Sequence, residues 1–94
     1  MDIMITNNQL AGCFEIAQAG RTAFLEYVVT GGLMTLVHTE VPEELGGKGF
    51  GGKLVKFALE YAKRNNLRVA AHCEFAHSYI MRHKEYKSLL LSRH

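Results

Sequence analysis

The sequence predicts a single α+β domain: three antiparallel strands, a helix, a strand parallel to the third, and a second helix. Three observations carry this. The first half alternates apolar and polar residues with a period of two and is interrupted by glycines. A glycine-rich stretch, Leu45 to Leu54, opens into the clearest helical pattern in the chain. A further apolar run follows that helix, and a helix between two strands is a crossover that leaves the strands parallel. At 94 residues, the chain (1–94) is long enough for one modest core and too short for two domains.

Gln9 to Ala17 sets Phe14 and Ile16 on one side and Cys13 and Glu15 on the other, the signature of a half-buried strand. Ala19-Gly20 marks a turn. Thr22 to Val29 is rich in aromatic and β-branched residues, with Leu25 and Tyr27 opposite Phe24, Glu26 and Val28. Thr30-Gly31-Gly32 then breaks the run and Leu33 to Val41 resumes it. Two strands joined by Gly-Gly predict a hairpin, because the tight turn needs positive φ at both central residues.

Beyond the glycines, Leu54, Phe57, Ala58, Tyr61 and Ala62 recur at helical spacing, while Lys53, Lys56, Glu60, Lys63 and Arg64 take the opposite side. That predicts a helix lying on the sheet. Asn65-Asn66 closes it, since Asn tolerates the left-handed conformation of a helix end. Leu67 to Cys73 forms the next strand and Phe75 to His83 a second helix. No element is assigned from Lys84 to His94.

The stretch Leu45-Gly46-Gly47-Lys48-Gly49-Phe50-Gly51-Gly52-Lys53-Leu54 holds five glycines and follows an apolar run ending at Val41-Pro42. It reads as a phosphate cradle. Glycine lets a ligand approach the backbone, and a helix starting there aims unpaired N–H groups and partial positive charge at an anion. Lys48 and Lys53 add full charges. Two familiar cradles fit poorly. The triphosphate loop needs Ser or Thr after its lysine, where this chain has Leu54. The dinucleotide fingerprint needs a strand feeding tightly into the loop and an acid about 20 residues on. Here Pro42-Glu43-Glu44 intervenes, and Arg68-Val69-Ala70-Ala71-His72 carries no acid.

Composition narrows the partners. Hydrophobic residues make up 48% and charged residues 21%, an ordinary globular balance, and a net charge of +2 without a basic stripe argues against nucleic acid. Cys13 and Cys73 lack metal-ligand or redox spacing, which predicts free thiols in a reducing cytoplasm. Met1-Asp2-Ile3-Met4 begins no signal sequence and no run has the length of a membrane span, so the expectation is a soluble, cytoplasmic protein with no membrane partner.

A strand ending Val-Pro, a short acidic linker, then G-x-G-x-G and an amphipathic helix resembles the acetyl-CoA loop of the GCN5-related N-acetyltransferase superfamily. Gly49 and Gly51 take the signature's two small positions, and Gly46 stands where Arg or Gln is usual. From His38-Thr39-Glu40-Val41-Pro42 through Ala71-His72-Cys73 the chain is similar to the very short, YjdJ-like members of that superfamily. The resemblance implies acetyl-CoA as co-substrate, no metal, and an unidentified primary amine as acceptor, either a small molecule or a protein lysine. Gly46 to Lys53 would hold the pyrophosphate, and the backbone from Thr39 to Val41 would pair with the pantetheine arm.

The resemblance also places the thioester near His38, Glu40 and Cys73. His38 and Glu40, two apart in a strand, share a face, and either is a candidate base; the plainer alternative packs His38 against Met34 and Leu36 and leaves Glu40 solvated. Cys73 is a candidate acyl carrier, or else only lines the cofactor pocket. In longer relatives a Tyr on the second helix protonates the departing thiolate. That position falls on Ile80, with Tyr79 one residue early and turned by about 100°. His72, His77, His83 and His94 match no familiar metal spacing. Three readings stay open: an acetyltransferase, a non-catalytic CoA-binding module, and a small dinucleotide-binding or interaction domain. Sequence fixes neither the acceptor nor the oligomeric state.

Overall fold

The computed structural model describes residues 3–90. His94, and Met1 and Asp2 of the amino-terminal reading, lie outside the described residues. The strands are β1 (Thr6–Asn8), β2 (Cys13–Gln18), β3 (Arg21–Thr30), β4 (Leu33–Glu40) and β5 (Arg68–Ala71), in spatial order β1-β2-β3-β4-β5. The helices are α1 (Phe50–Arg64) and α2 (Glu74–Arg82). Strands β1 to β4 pair antiparallel, and β5 pairs parallel to β4. The expected α+β order is therefore present, with one strand more than expected. β1 was not foreseen because Thr6-Asn7-Asn8 has no apolar alternation; it is held by its ladder to β2 and by the Tyr27 hydroxyl donating to Asn7. The first expected strand starts late, at Cys13, because Gln9 to Gly12 is a turn that feeds Tyr27 N–H to the Gly12 carbonyl.

The core lies on one face of the sheet. Phe14, Ile16, Leu25, Met34, Leu36 and Val69 point there and are fully buried, and α1 covers them with Leu54, Val55, Ala58, Leu59 and Ala62. Each of these side chains larger than alanine contributes roughly 1.5–3 kcal/mol by leaving water. Gly31 and Gly32 both take positive φ (57° and 79°), as the Gly-Gly hairpin demands. Asn66 takes φ 56°, and Leu67 N–H reaches back to the Ala62 carbonyl at 2.9 Å, the six-to-one bond of a left-handed helix end.

One irregularity sets the orientation of β4. Glu26 pairs with His38 but Tyr27 pairs with Leu36, so Val37 is an extra residue in the strand, a β-bulge. A bulge shifts the alternation by one. Before it Met34 and Leu36 face the core; after it Thr39, paired with buried Leu25, does. His38 therefore does not pack on Met34 and Leu36. It points to the far face with Glu40, beside the ring of Phe24 at 6.0 Å.

The unassigned tail begins as a 3-10 helix, Lys84–Leu89, that closes the far end of the core. Tyr86 is 3% exposed and its hydroxyl donates to Glu60 Oε2 at 2.6 Å, while Arg68 holds the Leu90 carbonyl at 2.6 Å. The Tyr86 hydrogen bond, helped by Lys63, Lys56 and Arg64 against a smaller opposing effect of burial, holds the Glu60 carboxyl below the usual carboxylate range. A depressed acid stabilises the fold above its unfolded pKa, about 4.3, and that contribution is lost as pH falls through the folded value. We expect wild-type protein to lose more stability than Tyr86→Phe between about pH 5 and pH 3, measured by urea denaturation at each pH. Parallel profiles would mean that the bond does not survive in solution.

Candidate functional site

The parallel ladder between β4 and β5 runs only from Leu33–Arg68 to Leu36–Ala71. His72 and Cys73 N–H both converge on the Leu36 carbonyl, at 3.0 and 3.1 Å, and the chain then leaves the sheet into α2. β4 continues along β3 to Glu40. The two strands thus part beyond Leu36, and the β5-facing edge of β4 from Val37 onward has no strand partner among the described residues.

At the end of that opening lies the glycine stretch. Pro42 leads into a short 3-10 turn, Glu43–Leu45, anchored by buried Leu45, and Gly46 N–H closes the turn on the Glu43 carbonyl at 3.0 Å. Gly49 is left-handed (φ 76°) and is the amino-terminal cap of α1. Helix α1 begins at Phe50, a turn earlier than the apolar spacing suggests, so Gly51 and Gly52 belong to its first turn and not to a loop. Gly51 is small for a packing reason: a Cβ there would sit 2.7 Å from Cζ of Phe75 in α2.

The first intrahelical bond joins Lys53 N–H to the Gly49 carbonyl at 3.1 Å, which leaves the preceding N–H groups of the turn for an outside acceptor. No side chain caps them, and the first turn contains no acidic residue. A groove of about 280 Å³ lies there, between Val41, Leu45, the glycines 46, 47, 49, 51 and 52, and the rings of Phe50 and Phe75. Exposed Lys48 and Lys53 flank it in sequence. An uncapped, positively polarised helix end facing a groove suits an anion.

Cys73 sits at the parting of β4 and β5, 9% exposed, at the amino-terminal cap of α2. Its Sγ lies 3.3 Å from Thr39 Oγ1. Burial pushes the thiol up, but the Thr39 hydroxyl and the backbone N–H groups of Ala76 and Phe75 outweigh it, so the thiol stands below its ordinary value. Cys13 goes the other way, raised by burial and by Glu15 and Glu26. Sequence reasoning placed Thr39 here for its backbone alone; the bulge that turns its hydroxyl onto Cys73 has no signature in Leu36-Val37-His38.

His38 and Glu40 share a face as expected, with Nε2 3.2 Å from Oε1 and side chains 54% and 61% exposed. That face is opposite to the one carrying Thr39 and Cys73, so the three candidate catalytic residues are not gathered into one cluster. Tyr79 is turned toward α1, with its ring 3.5 Å from the Cβ position of Gly52 and stacked on His83 at 3.9 Å. Among the described residues no three His, Cys, Asp or Glu side chains converge as a metal site, and no helix is long and apolar enough to cross a membrane.

A family model described as GCN5-related N-acetyl-transferase matches residues 13–89. The solution NMR structure of a "GCN5-like putative N-acetyltransferase" from Staphylococcus aureus superposes with a TM-score of 0.76 at 30% sequence identity, covering 98% of this chain and 91% of that one. No curated protein matches the sequence significantly. These matches do not separate a YjdJ-like type within the family.

If Thr39 sets the thiol's acidity, Thr39→Val should raise the pH midpoint for iodoacetamide alkylation of Cys73 without moving that of Cys13. Mass-spectrometric alkylation rates from pH 6 to 10 measure both. An unchanged Cys73 midpoint would leave the α2 terminus as the sole influence.

Proposed function

This chain belongs to the GCN5-related N-acetyltransferase family, and from that premise we propose that it binds acetyl-CoA in the glycine groove and transfers the acetyl group to a primary amine. The observation that carries the reading is the uncapped amino terminus of α1 behind left-handed Gly49, opening on a groove whose wall includes Val41, the residue just past β4. Backbone N–H groups of Gly51 and Gly52 would meet the pyrophosphate, with Lys48 and Lys53 adding charge. Gly46 needs no side chain in this arrangement, because the helix end supplies the donors. The end of β4 and the residue after it, Thr39 to Val41, would offer the pantetheine arm peptide groups that β5 no longer engages.

Cys73 stands where the acyl end of such a ligand would arrive. In the covalent route its thiolate adds to the thioester carbonyl, the bond to the CoA sulfur breaks, and the released CoA thiolate takes up a proton. An amine then attacks the acetyl-cysteine, loses its proton to a base and returns Cys73 to the thiolate. The Thr39 hydroxyl and the α2 terminus stabilise the anionic sulfur at both stages. In the direct route the amine attacks acetyl-CoA itself, and the His38–Glu40 pair is the candidate base, acting across the opening between β4 and β5 or through water. Positioning of the two substrates supplies much of the rate in either case. The acceptor is a small amine or a protein lysine, and the protein acts in the cytoplasm.

Two measurements test this reading. Gly49→Asp should abolish CoA binding in calorimetry while thermal unfolding stays cooperative, since Asp tolerates the left-handed region but sets a carboxylate against the pyrophosphate. Retained affinity would overturn the groove assignment. Incubation with acetyl-CoA should yield a hydroxylamine-sensitive acetyl adduct on Cys73 by intact-protein mass spectrometry, absent from Cys73→Ala, which should also lose turnover. Turnover in Cys73→Ala would leave the direct route, and CoA binding without turnover on any amine would leave a CoA-binding module.

A further inference from the structure

A cavity of about 500 Å³ lies away from the glycine groove, between the segment leading into β1 and the outer flank of α1. Its α1 wall is a single helical stripe of Lys53, Lys56, Phe57, Glu60 and Arg64. Such a stripe runs about 16 Å from Lys53 to Arg64. Ile3 and Ile5 form the opposite wall, both half-buried, and they face Phe57, which is anchored edge-on to buried Phe14 at 5.2 Å. The volume falls within the range of small-molecule sites.

Charge is distributed unevenly along this cleft. Among the described residues Lys53, Lys56 and Arg64 make no ion pair within 4.0 Å; the two pairs present are Arg21–Glu44 and His38–Glu40. Glu60 lies one turn after Lys56 and one turn before Arg64 and is shared between them, with Oε2 taken up by the Tyr86 hydroxyl. Against this one carboxylate stand three cations, so among the described residues the end holding Lys53 and Lys56 keeps an excess of positive charge. Between the ends the walls are apolar. The cleft is thus a hydrophobic slot with a cationic mouth at one end.

We propose that this cleft binds a small monoanionic amphiphile, a carboxylate with a medium-length alkyl or aryl chain. The carboxylate meets Lys53 and Lys56, and the chain lies along Phe57 between Ile3 and Ile5. Charge complementarity selects the anion and the apolar walls select the chain; a phosphate alone would waste the slot, and a neutral lipid would waste the lysines. Lys53 is shared with the proposed pyrophosphate site, but Ile3, Ile5, Lys56, Phe57 and Glu60 take no part in the glycine groove, so Lys56 tests this cleft separately from acetyl transfer.

The test is titration of the isotopically labelled full chain with sodium decanoate, below its micellar concentration, followed by ¹H–¹⁵N NMR. Decanol and phosphatidylserine vesicles serve as separate arms. Saturable shifts at Ile5, Lys56, Phe57 and Glu60 are expected, with decanol binding more weakly and Lys56→Glu weakening decanoate on the order of tenfold. Lys56 is exposed, so the substitution leaves the fold intact. Equal affinity for decanol, an unaffected Lys56→Glu protein, or shifts centred on the exposed sheet residues Val28 and Val37 would overturn the proposal. So would binding to vesicles without saturable binding of decanoate, which would place a lipid surface there instead.

Discussion

The extra residue in β4 is the constraint on which the site depends. Without Val37 as a bulge, strict alternation from Leu36 would carry His38 into the core and turn Thr39 to solvent. With it, a hydroxyl is delivered to the sulfur of Cys73 from a strand 34 residues earlier in the chain, and a polar imidazole is spared burial. The bulge also coincides with the end of pairing between β4 and β5. Bulges bend and twist the strand that carries them, and here the bend falls where the two strands diverge. One inserted residue therefore opens the sheet and selects which side chains face the opening.

The second determinant is the approach of α1 to α2. Glycine inside a helix costs about 0.5–1 kcal/mol relative to alanine, and the first turn of α1 contains two. At Gly51 the cost is offset by contact, because any larger residue would displace the Phe75 ring. At Gly52 a Cβ would reach Tyr79 at an ordinary 3.5 Å, so packing alone does not require glycine there. What both share is a bare backbone at the helix end beside the groove. Gly51 thus serves helix packing whatever ligand the proposed groove takes, and counting it as a loop residue hides that role.

Much of the fold was legible because most elements obey local rules. Alternation in Phe14-Glu15-Ile16, the Gly31-Gly32 turn, the helical spacing of Leu54 to Ala62 and the Asn66 helix end each specify their structure with neighbouring residues alone. What was not legible depends on distant partners. Thr6-Asn7-Asn8 becomes a strand through its ladder to β2, and α1 starts at Phe50 because Phe50 itself is buried while Gly49 turns left-handed. The glycine stretch and Cys73 could be singled out from sequence with a resemblance to guide the reading. Their relation to Thr39 could not, since a bulge is decided by the register of β3 against β4.

The separation of His38 and Glu40 from Cys73 by the sheet bears on how so small a chain could do acyl transfer. A base on one face and a thiol on the other can serve one reaction only where the sheet is open, and the parting beyond Leu36 is such a place. An amine arriving from the exposed face would meet the His38–Glu40 pair before it met the sulfur. Helices cover the core face alone, so access from that side is unobstructed by anything in residues 3–90. One sheet face is thus used for stability, and in the proposed reading the other is the approach for an acceptor, with the gap between β4 and β5 joining them.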